Sequence, residues 1–317
     1  MKPNCLIIDL MHPSIIELLE EAGFSVSYQP DIKPEKVKAA LPGFQLLIVR
    51  SKLQVTEDLL AEAHELQIIA RAGAGVDNID EAALQKLNIE LVNAPEGNRD
   101  AVGEFTVGLL LTLFRNIVKA DQEVRNLNWD REGNRGEEIF GKTIGIIGYG
   151  NMGKAFARCL RGFNCRVLAN DNGNNAISDE FARQVPLEEI FEKADVVSFH
   201  IPYTPENFHF ADEAFFGNFK KPVWVLSTAR GEIMDYTALV AGLRSGKIKG
   251  AALDVLENEK LSTLNAKQKE NFSYLSQANN VVLTPHIAGW TFQSYRKINE
   301  ILVQKIKAIR NQNNALR

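Results

Sequence analysis

The chain has 317 residues, 45% hydrophobic and 24% charged, and its 36 basic against 40 acidic side chains leave a formal net charge of −4. That composition is ordinary for a soluble globular protein, argues against a nucleic-acid-coating surface, and is long enough for two domains. No apolar run approaches the ~20 residues of a membrane span, "MKPNCLIIDL" lacks the features of a secretory leader, and Cys5, Cys159 and Cys165 show no metal-ligand or redox spacing, so a cytoplasmic, metal-free protein is expected.

Along the chain, apolar strand-like runs alternate with helical stretches. LIID (6–9) precedes an amphipathic segment at 13–23, where Pro13 suits a first turn and Gly23 a C-cap. Runs at 46–49, 67–70 and 89–92 follow, with helices expected after Thr56 and Asp80. A long helical stretch at 100–120 leads into a polar segment at 126–138. The alternation resumes at 143–148, 165–169, 195–200, 223–227, 250–256 and 280–286, before a final helix at 294–310. Strands apolar on both faces and spaced by helices predict parallel sheets covered on both sides. The expected fold class is α/β, with two doubly wound, Rossmann-like domains. Residues 1–99 and 289–317 would form a flavodoxin-like substrate domain, and 100–288 a nucleotide-binding domain inserted into it.

Residues 143–172, "TIGIIGYGNMGKAFARCLRGFNCRVLANDN", set Gly148-x-Gly150-x-x-Gly153 between a strand and a helix. A lone motif of this kind is weak, because glycines serve ordinary turns. Here a second strand ending in Asp171 completes the context of a βαβ unit. Gly148, Tyr149, Gly150, Asn151, Met152 and Gly153 are therefore expected to cradle a pyrophosphate at a helix N-terminus. Asp171 would accept ribose hydroxyls and repel a 2′-phosphate, which favours NAD over NADP.

Ligands of open α/β sheets sit beyond the carboxyl ends of the strands. Three reactive side chains fall there: Arg230 after "VWVLS", Glu259 in "DVLENEK" and His286 in "LTPHIAG". Hydride transfer to a carbonyl needs a proton donor, which His286 suits. A carboxylate beside an imidazole favours its charged form and fixes the ring. A guanidinium such as Arg230 grips a carboxylate and stabilises charge developing on the neighbouring oxygen. Each has a plainer alternative: a lone histidine is more often structural, "ENEK" fits a solvated turn, and Glu257 competes with Glu259.

The stretches "LLIVRSKLQVTEDLL", "RAGAGVDNID", "VNAPEGNR", "GKTIGIIGYGNMG", "STARGEIMD", "GKIKGAALDVLENE" and "VVLTPHIAGW" make the chain similar, over essentially its whole length, to the D-isomer-specific 2-hydroxyacid dehydrogenases. The resemblance implies a catalytic triad of Arg230, Glu259 and His286. It implies a substrate carboxylate held by the backbone of Gly73, Ala74 and Gly75. Asp254 would line the nicotinamide end of the pocket and Pro202 and Thr204 a loop beneath the cofactor, with His200, Thr228 and Ala229 as further cofactor contacts.

The implied activity is NAD-dependent interconversion of a D-2-hydroxy acid and its 2-keto acid. D-3-phosphoglycerate, the precursor in serine biosynthesis, is the favoured substrate, and glyoxylate or hydroxypyruvate reduction the alternative. An NADH-sensing corepressor is the reading of another class, whereas formate-oxidising relatives usually carry Gln in place of Glu259. Arg50, with Ser51, and Arg71 lie at strand ends as candidate substrate contacts, and Arg296 is a candidate to join them. Three residues depart from the family pattern: Lys260 stands where proline is usual, Phe105 replaces a common histidine, and Ser227 a frequent asparagine. Trp129 resembles the family's dimerisation arm, so a homodimer is expected, without nucleic-acid or membrane partners and without a regulatory domain after the last helix.

Overall fold

The computed structural model describes residues 2–173 and 178–315. In chain order its strands are β1 (Asn4–Ile7), β2 (Ser25–Tyr28), β3 (Leu46–Val49), β4 (Ile68–Arg71), β5 (Glu90–Asn93), β6 (Thr143–Ile147), β7 (Arg166–Asn170), β8 (Arg183–Gln184), β9 (Val196–Phe199), β10 (Val223–Ser227), β11 (Ile248–Leu253) and β12 (Val281–Leu283). The helices are α1 (Ser14–Glu21), α2 (Pro34–Ala40), α3 (Glu57–Leu60), α4 (Glu81–Leu87), α5 (Pro95–Phe114), α6 (Ile117–Arg125), α7 (Asn151–Cys159), α8 (Leu187–Lys193), α9 (Glu213–Asn218), α10 (Tyr236–Ser245), α11 (Ala266–Gln277) and α12 (Phe292–Ala315). They divide into two compact units, Met1–Asn98 with Trp290–Arg317, and Arg99–Gly289.

The first unit holds a parallel sheet in the order β2-β1-β3-β4-β5. Successive residues of β1 and β3 face opposite cores, as the period of a strand requires. Ile7 and Ile48 pack with Ile15, Leu19 and, from the far end of the chain, Ile298, Leu302, Val303 and Ile306 of α12. Leu6, Leu47 and Val49 pack on the other side with Leu59, Leu84 and Ile89. Thr56 and Asp80 start α3 and α4 by accepting the backbone N–H of Leu59 (3.3 Å) and Ala83 (3.0 Å).

The second unit holds a parallel sheet in the order β12-β11-β10-β9-β6-β7-β8. β6 is buried along its whole length, and the strand order reverses around it, between β9 and β7. That reversal is where doubly wound sheets open to a ligand. The expected pair of parallel-sheet α/β domains is present. Two details differ. The helix expected at 100–120 is broken: α5 ends at Phe114, Asn116 turns left-handed (φ 51°), and α6 leaves at a 60° bend. Edge strands β2 and β8 were not anticipated. No single helix among the described residues is long and apolar enough to cross a membrane.

Candidate active site

β10, β11 and β12 are adjacent strands, and the segments leaving their carboxyl ends carry Arg230, Glu259 and His286 respectively. His286 Nδ1 and Glu259 Oε1 are 2.8 Å apart, both side chains being about half exposed (42% and 48%). The contact fixes the ring through one nitrogen and leaves Nε2 for another partner. Glu257, the competing carboxylate, lies 3.8 Å from His209 Nε2 and so faces a different imidazole.

His286 sits in the left-handed region (φ 56°), an unfavourable conformation for a residue with a Cβ. Asp254, only 1% exposed, is what holds it there. Its Oδ1 accepts the Thr284 hydroxyl (2.6 Å) and the Ile287 N–H (2.9 Å), its Oδ2 the Ala288 N–H (2.8 Å), and its main-chain carbonyl the His286 N–H (2.7 Å). Asp254 is thus the anchor of the histidine loop, a role that its expected place beside the nicotinamide did not suggest. A buried carboxylate one residue beyond the end of a core strand is the signal that points to such an anchor.

Arg230 donates from Nη1 to the Ala229 carbonyl (2.7 Å) and opens the short turn Gly231–Ile233. A Cβ on Gly231 would overlap the backbone of Leu256. Only glycine lets the exit of β10 lie against the segment that runs from β11 toward Glu259. Thr228 Oγ1 lies 3.5 Å from Thr106 Oγ1, and Ala229 is buried.

At the end of β6, Gly148 has φ 91°, and a side chain there would strike the backbone of His200. Gly150 caps α7 with open space before it, and Gly153 packs against the Gly148 carbonyl. The first N–H groups of α7, from Asn151 and Met152 onward, lack helical acceptors and attract an anion. Asp171 is oriented by two backbone donors, Tyr149 N–H to Oδ2 (2.6 Å) and Gly173 N–H to Oδ1 (2.8 Å), each oxygen keeping a second lone pair. This glycine turn, open helix terminus and fixed carboxylate fit a dinucleotide. The Tyr149 side chain is buried and donates its hydroxyl to Asp179 Oδ1 (2.8 Å), which leaves only its backbone at the turn.

His200 pairs through Nε2 with Ser198 Oγ (2.8 Å), and burial lowers its pKa to about 3, so the ring is neutral. Pro202 and Thr204 lie in the loop after β9, where the Pro202 carbonyl accepts from Asn207 Nδ2 (3.0 Å).

In the first unit, Arg50 and Arg71 occupy the ends of β3 and β4, with Ser51 exposed beside Arg50. The Arg50 guanidinium lies 4.7 Å from the Trp290 ring centroid and 5.3 Å from that of Tyr295, and burial lowers its pKa. This aromatic shelf was missed in the sequence, because it comes from residues at the chain's opposite end. The Arg71 guanidinium folds over Gly73, filling the space a Cβ would need. The Gly73, Ala74 and Gly75 loop is tied to β5 through Asn93 Nδ2 and the Ala74 carbonyl (2.7 Å). Arg296 pairs with Glu300 (2.9 Å).

The family model described as D-isomer specific 2-hydroxyacid dehydrogenase, NAD binding domain, matches residues 107–288. D-3-phosphoglycerate dehydrogenase of Methanocaldococcus jannaschii is 33% identical over 310 residues, covering 96% of this chain and 57% of that protein. The chain therefore spans little more than half of that relative. Hydroxypyruvate reductase of Thermotoga maritima is 33% identical over 275 residues, covering 87% of this chain and 88% of that one. Among solved structures, D-lactate dehydrogenase of Aquifex aeolicus, complexed with NAD and lactic acid, has a TM-score of 0.84 at 27% identity, covering 98% of this chain and 96% of that one. The matched segment takes in more than half the chain, including the whole glycine turn and Asp171, and on that ground the chain belongs to the D-isomer-specific 2-hydroxyacid dehydrogenase family, with NAD as its cofactor.

Proposed function

We propose that the chain catalyses interconversion of a D-2-hydroxy acid and its 2-keto acid, with D-3-phosphoglycerate as substrate and a place in serine biosynthesis. The observation that carries the catalytic part is the 2.8 Å contact of His286 Nδ1 with Glu259 on a loop at the carboxyl end of the sheet. NAD supplies or takes the hydride when bound. In reduction, His286 gives the proton on Nε2 to the carbonyl oxygen, while Glu259 steadies the charged ring through Nδ1. Arg230 grips the substrate carboxylate and stabilises negative charge on the neighbouring oxygen. Gly148 to Gly153 and Asp171 hold the cofactor, with His200, Pro202, Thr204, Thr228 and Ala229 along it.

Arg50 supports a phosphorylated substrate. A partly buried guanidinium, flattened on two rings, is preorganised for a bidentate anion. The Arg71 guanidinium and the backbone of Gly73, Ala74 and Gly75 are proposed as further substrate contacts. Hydroxypyruvate reduction is the second reading, favoured by the relative from Thermotoga maritima, whose length this chain nearly spans. The test compares kcat/KM for 3-phosphohydroxypyruvate, hydroxypyruvate and glyoxylate in the wild type and in Arg50→Ala. A phosphoglycerate enzyme prefers the phosphorylated acid and loses that preference in the variant. An equal loss for all three acids assigns Arg50 to the shared carboxylate or to structure, and absence of turnover returns the sensor reading. The exposed apolar side chains of α6 and the segment after it, Ile117, Val118, Val124, Leu127 and Trp129 (79% exposed), support a homodimer.

A further inference from the structure

The segment leaving β11 is held from within as far as Leu256, yet Glu259 beyond it is half exposed and must meet His286 Nδ1 at hydrogen-bond distance. What orders it is the residue before it. Asn258 is half-buried, and its Oδ1 accepts the backbone N–H of Lys260 (3.0 Å), closing a turn over Glu259 itself. Its Nδ2 donates to Thr263 Oγ1 (3.1 Å) and toward Gln268 Oε1 (3.4 Å). Thr263 Oγ1 in turn donates to the Lys260 carbonyl (2.8 Å). Gln268 belongs to the capping box that starts α11, accepting the Asn265 N–H (3.1 Å) while Asn265 Oδ1 accepts its own (2.9 Å). One amide thus links the two residues flanking Glu259 to the fixed end of a twelve-residue helix.

A proline at 260 would have no N–H to give Asn258, so lysine and asparagine work together here. We infer that Asn258 is a positioning residue for the proton-transfer pair, setting the Glu259 carboxylate on His286 through the turn it closes with Lys260. The inference rests on the catalytic reading above. Other ionisable groups at this end of the sheet are Lys260, Arg230, Glu232, Asp254, Glu257, His209 and Tyr236. Glu257 is turned toward His209, and Tyr236, its pKa raised by burial, donates to the Val255 carbonyl (2.6 Å).

Reduction needs a protonated acid, so its rate falls on the alkaline side of the pH profile. Removing the facing carboxylate disfavours the charged ring, so Glu259→Gln moves that fall to lower pH, by about one unit. The experiment follows the keto acid that the wild type reduces fastest among 3-phosphohydroxypyruvate, hydroxypyruvate and glyoxylate. Asn258→Ala should move the fall in the same direction and lower kcat several-fold, with KM and NADH affinity held. It should add nothing in a Glu259→Gln background, because both changes remove one interaction. Asn258→Ser, whose hydroxyl retains the Lys260 contact, should shift the profile less and serves if the alanine variant folds poorly. Lys260→Pro added to Asn258→Ala should restore the profile, since a proline ring fixes φ near −65°, close to the −87° of Lys260. If Glu259→Gln shifts the profile and both Asn258 variants only lower the melting temperature, the inference fails alone. If Glu259→Gln leaves the profile in place, the catalytic reading fails and takes the inference with it.

Discussion

The loop after β12 suspends His286 from a buried carboxylate, whereas the segment after β11 holds Glu259 through side-chain amides at the surface. The difference follows from what each residue must do. His286 is kept in a left-handed conformation against its preference, and that needs charge-assisted bonds in a water-poor site. Glu259 needs only a direction, and a turn closed by neutral groups supplies it at lower energy. A reacting group and its partner can therefore share one hydrogen bond while resting on anchors of very different strength.

The largest effect should come from removing the suspended group. His286→Ala is expected to lower turnover about 100- to 10,000-fold, while NADH binding, followed by fluorescence titration, stays near wild type. Loss of NADH binding would make the histidine loop part of the cofactor site and erase the contrast between a reacting loop and a binding turn. Next is the anchor itself. Asp254→Ala strands the Thr284 hydroxyl and two backbone N–H groups, and should lower stability by about 2–4 kcal/mol, with kcat falling more than KM rises. Chemical denaturation beside steady-state kinetics reads both. An unchanged kcat would mean that His286 holds its conformation without the carboxylate.

The smallest effect is a control at the end of β9, two strands from β11, where the ring of His200 is held without charge by Ser198 and Phe156. Its folded pKa of about 3 lies below the ordinary 6.5. The stability it contributes is complete above pH 6.5 and is lost as pH falls toward 3. The loss between pH 7 and pH 5 amounts to about 2 kcal/mol or less. His200→Asn should flatten the acid side of the stability profile, while leaving the alkaline fall in keto-acid reduction where it was. If the acid side keeps its slope, another group governs it.

The glycine turn and Asp171 were legible because their chemistry is local: a turn, a helix start and a strand end follow one another within thirty residues. The central strands were legible for the same reason, being apolar on both faces. β2 (SVSY) alternates small polar and apolar residues at a half-covered edge, and β8 has only two residues, so neither carries a hydrophobic run. In "LFRNIV" only Asn116 hints at the break, because asparagine tolerates the left-handed turn it adopts, but asparagine also occurs inside helices and the flanking apolar pattern runs on unbroken. Which of Glu257 and Glu259 faces His286 was likewise open, since the two are separated by one residue and the Asn258 turn decides between them. The shelf beneath Arg50 depends on rings far away in sequence, and no local pattern announces such a pairing.

One face of the first unit's sheet is closed by α12, whose Ile298, Leu302, Val303 and Ile306 complete the core begun by Cys5, Ile7 and Ile15. Those strands leave the ribosome before the second unit and their cover leaves after it. The roughly 190 residues of the second unit lie between them, which at 5–20 residues per second is about 10–40 s of synthesis. By the end of that interval the second unit has all of its own sequence to fold with, and the first still has none of the helix it needs. During synthesis the order of assembly is thus inverted relative to the order of the two units: the one whose strands emerge earlier must wait, with one apolar face uncovered, for α12.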